Sequence, residues 1–161
     1  MDRLRAFEYI GNHEGKSTVA YRDSENILTI GIGFNLEDPT APARCSAIGL
    51  DHAGLCNRLV SLDPGQMEQL FKADFDTALE DAAAVIPNFW DLPEDAQFAL
   101  VDMSYQLGKP RLSKFQKMIE ALTANPPNFL VAAEEIKDSL YYRQTPNRAE
   151  DNIMLVRGCA V

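Results

Sequence analysis

The sequence predicts a predominantly helical α+β fold: a small N-terminal lobe built on a β-hairpin, a long connecting helix, and an all-helical second lobe. Three observations carry that expectation. Apolar residues keep helical spacing up to Glu14, give way to a run rich in β-branched and aromatic residues, and return to helical spacing from Asp63 onward. Asp63-Pro64 is a strong helix start, with Asp as N-cap and Pro at the first helical position, and no further proline follows until Pro87. Beyond Pro87 the apolar pattern stays helical and is divided by glycine and proline. The 161 residues suit a single domain of two closely joined lobes. Lobe one covers about residues 13–62, the connecting helix 63–86, and lobe two 87–161 together with an N-terminal helix over 2–12.

Taken in order, residues 2–12 form the first helix, with Leu4, Phe7, Ile10 and Gly11 on one face. Gly15 offers a stop just after Glu14, so Glu14 sits at the helix end with its side chain aimed beyond it. Val19 to Arg22 and Ile27 to Ile32 read as the strands of a hairpin, with Asp23-Ser24-Glu25-Asn26 as the turn. Gly31 and Gly33 interrupt side-chain cover and suggest a bend or a close backbone approach. Residues 39–60 form a loop with one or two short helices, punctuated by Pro39, Pro42, Gly49 and Gly54. The long helix then carries Met67, Leu70, Phe71, Phe75 and Leu79 to near Ile86, where Pro87 ends it. Four more helices are expected, over 93–107, 112–122, 129–142 and 146–156.

Composition excludes several function classes. A hydrophobic fraction of 46% is enough to bury a core without disulfides or metal. No stretch approaches the ~20 apolar residues of a membrane span. The N-terminus, Met-Asp-Arg-Leu-Arg-Ala-Phe-Glu, lacks the apolar core of a secretory signal. A net charge of −9 argues against broad nucleic-acid binding and against attachment to anionic membranes. Cys45, Cys56 and Cys159 are odd in number and lack metal-site spacing, so they read as reduced structural thiols, with a Cys45–Cys56 bridge left open. No metal and no cofactor are expected.

Glu14, Asp23 and Thr29 form the constellation with chemistry in it. One carboxyl ends a helix, the second lies at the hairpin turn, and a hydroxyl follows on the return strand. Glycoside hydrolysis needs such a carboxyl pair, one to protonate the leaving oxygen and one to activate water or attack the sugar. In inverting enzymes the two stand ~6.5–9.5 Å apart, with room for a water that a threonine hydroxyl can hold. On spacing alone the same residues also fit a helix-end surface acid, a turn aspartate and an ordinary strand threonine.

Glu14-Gly15, then Tyr21-Arg22-Asp23, then Leu28-Thr29-Ile30-Gly31-Ile32-Gly33 resembles the signature of the phage-type lysozymes, the T-even phage lysozyme family of glycoside hydrolase family 24. Met103-Ser104-Tyr105-Gln106-Leu107-Gly108 and Gln144-Thr145-Pro146-Asn147-Arg148-Ala149 resemble two further segments of that family, in the same order. The resemblance runs from about residue 4 to residue 157. It implies a lysozyme-like fold and a muramidase that cuts the β-1,4 bond between N-acetylmuramic acid and N-acetylglucosamine in bacterial peptidoglycan, with inversion. It further implies Glu14 as general acid, Asp23 as the carboxylate that activates water, and Thr29 as the residue that positions it. Arg148 matches an arginine that contacts the acid across a cleft, and Tyr105 and Gln106 match the cleft wall. Asn35 matches a position that lines it.

The implied setting is a monomer, or a domain of a larger virion protein, made in the host cytoplasm without a signal peptide and acting on the cell wall. Its partner is peptidoglycan, with no nucleic acid and no membrane span. Two rivals stand beside this reading: a non-catalytic wall-binding or virion structural domain of the same fold, and a lytic transglycosylase. Retention of Glu14, Asp23 and Thr29 together disfavours both. Phe34 replaces the histidine usual after Gly31-Ile32-Gly33, so an altered packing contact is expected there. Among the remaining residues, His13 reads as a helix-end histidine and His52 as an isolated loop histidine without a partner. Trp90 reads as a staple into the core, and Tyr141-Tyr142 as packing.

Overall fold

The computed structural model describes residues 1–161, which divide into two compact units. One comprises Gly11–Asp74, and the other Met1–Ile10 with Phe75–Val161. The division falls inside α1 (Arg3–Glu14) and inside α4 (Pro64–Val85). The fold is a mainly helical α+β one, as the sequence predicts, with nine α-helices and one antiparallel three-stranded sheet.

The small unit is built around the sheet, whose strands β1 (Ser17–Arg22), β2 (Leu28–Gly31) and β3 (Phe34–Asn35) lie in sequence order. Strand alternation sorts its residues. Ala20, Ile30 and Phe34 are buried and share a core with Leu36, Ala41, Cys45, Leu55 and Leu62. The opposite face carries a row of three polar side chains, because Tyr21 pairs with Thr29 and Thr29 pairs with Asn35. The sequence reading stops at two strands. A two-residue strand carries too little pattern to be seen, and β3 exists only because Phe34 and Asn35 pair with Ile30 and Thr29.

The loop over 39–60 contains α2 (Ala41–Ala47) and α3 (His52–Cys56). His52 is not isolated: it opens α3, its Nε2 lies 2.8 Å from the Leu36 carbonyl, and its ring lies beside the Cys56 sulfur at 3.6 Å. Its partners come from tertiary packing and from the next helical turn, which a loop assignment hides. All three cysteines are free thiols. Phe34, in place of the expected histidine, is 2% exposed, and the Arg44 guanidinium lies 4.8 Å from its ring centre. A cation over an aromatic face is the altered contact at that site.

The helical unit is organised on α5 (Glu94–Leu112), which is buried continuously from Ala96 to Ser104. A helix buried on all sides belongs in the middle of a bundle. Gly108, at φ 76°, kinks it, a conformation an L side chain tolerates poorly. Around it lie α6 (Gln116–Thr123), α7 (Phe129–Lys137), α8 (Leu140–Gln144) and α9 (Pro146–Gly158). The single helix expected over 129–142 is two. Ser139 leaves helical geometry, and its hydroxyl accepts the Tyr142 amide as an N-cap at 3.1 Å.

Two apolar expectations are corrected. Trp90 is 62% exposed and is not inserted into the core; a 3-10 turn over Phe89–Asp91 turns Phe89 inward, at 0%, and the indole lies edge-on to its ring at the surface. Leu4 is 68% exposed, and the buried side of α1 is Ala6, Ile10 and Gly11. Helical spacing identifies a face but not the position of its edge.

Candidate active site

Four of the residues singled out by sequence, Glu14, Asp23, Thr29 and Asn35, lie in the small unit. Glu14 is the last residue of α1, and Gly15 follows at φ 74° to turn the chain into β1. The carboxyl is seated on Gly33. A Cβ at that position would lie 2.5 Å from Glu14 Oε2 and 3.0 Å from its carboxyl carbon. Gly33 also stands at φ 68°, so the backbone favours glycine there, and any larger side chain would have to displace the Glu14 carboxyl.

Asp23 is held by its own turn. Its Oδ1 accepts the amides of Glu25 and Ile27, both at 2.9 Å, while its backbone closes on Ile27 and Asn26. One carboxylate oxygen is thereby spent on the loop, and the direction of the other is set. Thr29 is 4% exposed and donates its hydroxyl hydrogen to the Ile27 carbonyl at 3.0 Å. Toward any further group its oxygen can only accept. Asn35 is exposed, and its amide oxygen accepts the Glu37 backbone N–H at 2.8 Å.

Tyr21 ties these groups together. Burial first, then the charge of Glu14, then that of Asp23 push its phenol above the ordinary range. Both carboxyls therefore act on one phenol, and that phenol pairs across the sheet with Thr29. Sequence alone places Tyr21 in a motif but gives it no place in the site. Its place on a strand two residues before Asp23, inside the same motif, was the available signal.

Tyr105, Gln106 and Arg148 lie in the helical unit. The Arg148 guanidinium grips Asp102 through two parallel hydrogen bonds, Nε to Oδ2 at 2.9 Å and Nη2 to Oδ1 at 2.7 Å. Asp102 is 0% exposed, and it also accepts Asn152 Nδ2 at 2.8 Å. Asn152 joins the Tyr141 and Tyr9 hydroxyls, at 2.9 and 2.8 Å. Sequence alone does not reveal this network, although an aspartate inside the otherwise apolar stretch from Phe98 to Met103 was its signal. Gln106 Nε2 donates to Thr145 Oγ1 at 3.2 Å, while its buried Oε1 has no partner within the protein.

No protein-family model matches the chain. Individual proteins do. Probable T4-type lysozyme 2 of Dictyostelium discoideum is 26% identical over 144 residues, covering 84% of each chain. Probable T4-type lysozyme 1 of the same organism is 25% identical over 154 residues, covering 89% of this chain and 88% of that one. The pre-baseplate central spike protein Gp5 of Enterobacteria phage T4 is 29% identical over 159 residues, which is 92% of this chain but 27% of the spike protein. The resemblance to phage-type lysozymes thus extends over most of the chain, beyond the motifs that first suggest it.

Proposed function

We propose that the protein is a peptidoglycan hydrolase, a muramidase that cuts the β-1,4 bond between N-acetylmuramic acid and N-acetylglucosamine with inversion. The observation that carries the reading is the pair of carboxyls, Glu14 on its glycine seat and Asp23 on its turn, bearing on one phenol beside Thr29. The similarity to proteins named T4-type lysozymes supports the substrate class.

In the proposed reaction Glu14 protonates the glycosidic oxygen as the bond breaks. A water donates one hydrogen to Asp23 and the other to Thr29 Oγ1, which turns its lone pair toward the anomeric carbon. Thr29 suits this task because its own hydrogen is committed to Ile27. Asp23 takes the proton as the water attacks, and the product sugar is inverted. Gln106 and Arg148 are assigned to substrate contact. Both are assigned by resemblance, and Asp102 fixes the direction of Arg148. Tyr105 is assigned to the same contact by resemblance.

The match to about a quarter of the phage spike protein supports a place for such a chain within a larger virion assembly. The opposite setting, a separate lytic enzyme, uses the same chemistry.

Mass spectrometry of digested peptidoglycan tests the reading. Hydrated reducing ends are expected; anhydro ends point to a transglycosylase, and no release points to a binding domain. Glu14→Gln and Asp23→Asn each lower release by about 10²- to 10⁴-fold, the usual contribution of a general acid or base. Asp23→Asn keeps an oxygen for the turn amides, so its melting temperature stays near the parent's. Undiminished cleavage in both variants would sink the assignment.

A further inference from the structure

Phe34 stands where a histidine is expected, and the contact that replaces it lies one residue from the seat of Glu14. Three consecutive residues each meet a different part of the small unit. Gly33 carries the Glu14 carboxyl, Phe34 lies under the Arg44 guanidinium, and Asn35 pairs with Thr29. Strand β3 has only Phe34 and Asn35 in its ladder. Gly33 lies just outside that ladder, so its place depends on what holds Phe34. The Arg44 guanidinium lies 4.8 Å from the Phe34 ring centre, a stack that a flat cation makes well. Arg44 is in turn fixed to α4, with Nη2 2.8 Å from Asp74 Oδ1. Burial pushes the Asp74 carboxyl above its ordinary range while Arg44 pulls it down, so the guanidinium is the counter-charge of a poorly hydrated acid. Asp38, the other acid that acts on Arg44, is taken up by the Thr40 amide and hydroxyl.

We propose that Arg44 and Asp74 are positioning residues for the general acid: Asp74 aims Arg44, Arg44 covers Phe34, and Phe34 holds Gly33 under the Glu14 carboxyl. The proposal rests on the hydrolase reading for what Glu14 does. It adds side chains of α2 and α4 to a site otherwise made of α1 and the sheet. In this scheme neither side chain touches substrate. A slack seat lets the Glu14 carboxyl stray from the glycosidic oxygen, and misplacement by about 1 Å can cost ~10²-fold in rate. Groups that bind the glycan are left as they were, so the loss falls on kcat and spares KM.

The test uses soluble uncross-linked peptidoglycan and full-length protein carrying Arg44→Met, Asp74→Asn or both. Met keeps an unbranched stem without the charge, and Asn keeps the shape of the carboxyl. Each single variant is expected to lower kcat about 10-fold, with KM within about twofold of the parent's. The double variant should lose no more than either alone, because both changes break one linkage. Leu55→Ala supplies the comparison. Leu55 is fully buried in the same core, so its truncation lowers the melting temperature and leaves kcat near the parent's. The Glu14 carboxyl resonance in carbon NMR gives a readout free of turnover. It should shift in Arg44→Met and Asp74→Asn and stay in place in Leu55→Ala. Parental kcat in either single variant, a double loss equal to the product of the two, or an equal loss in Leu55→Ala overturns the proposal. A resonance that moves as expected in a protein whose parent never cleaves leaves the seat standing and removes the hydrolase reading. Cleavage with kcat and resonance unmoved does the reverse.

Discussion

At the scale of single residues, the site is a matter of who occupies whose space. The Glu14 carboxyl lies where the side chain of residue 33 would otherwise be, and Gly33 makes room by having none. Gly33→Ala should act in two ways. A β-carbon at φ 68° costs about 1–2 kcal/mol in stability, and the same carbon drives the Glu14 carboxyl off its seat. The expected outcome is a modest fall in melting temperature with a fall in kcat far larger than lost folding accounts for. Gly15→Ala provides the comparison, since it carries a similar backbone strain at φ 74° with nothing within 4 Å of its Cβ. Equal kcat losses in the two alanine variants, measured where both are fully folded, would contradict the seating argument.

At the scale of elements, α5 and α9 are joined by charge as well as by apolar contact. Asp102 on α5 is buried with Arg148 and Asn152 of α9, and Asn152 carries the Tyr9 and Tyr141 hydroxyls onward. Replacing Asn152 with Ala removes a shared partner from a buried carboxylate and two phenols, and should cost about 3 kcal/mol or more by chemical denaturation. The phenols also set an alkaline limit. Both stand well above the ordinary tyrosine range, through burial first and then the charge of Asp102. A raised folded value means that this contribution is complete below the unfolded value, near pH 10, and is lost as pH climbs toward the folded one. Stability should therefore fall steeply above about pH 10, and Tyr141→Phe should flatten that fall in denaturant titrations run across the range. An unchanged slope in Tyr141→Phe would remove the phenol from the explanation.

At the scale of the whole molecule, the net charge of −9 bears on how the protein reaches its substrate. The proposed substrate is an extended wall whose peptide carboxylates are themselves anionic, so approach is opposed by a long-range field. Salt shortens that field from ~30 Å at 0.01 M to ~8 Å at physiological ionic strength. Release from whole walls should rise over that interval, while cleavage of a short soluble fragment of the same glycan, which carries far less charge, changes much less. A release rate that falls with salt would mean that local positive charge at the site outweighs the global charge.

Sequence alone determined what depends on neighbours along the chain. The start of α4 at Asp63-Pro64, its stop before Pro87, the hairpin turn at Asp23 and the long apolar period of α4 follow from local propensity and spacing, and so they were legible. The ordered motifs resembling phage-type lysozymes named Glu14, Asp23 and Thr29 before any distance was known. Tertiary structure alone decided what depends on residues far apart. It turned Phe89 in and Trp90 out, gave His52 the Leu36 carbonyl, seated Glu14 on Gly33, and paired Asp102 with Arg148 and Asn152. The physical reason is one of range: backbone preference is settled within a few residues, whereas burial and hydrogen-bond partnership are settled by whichever segment packing brings alongside.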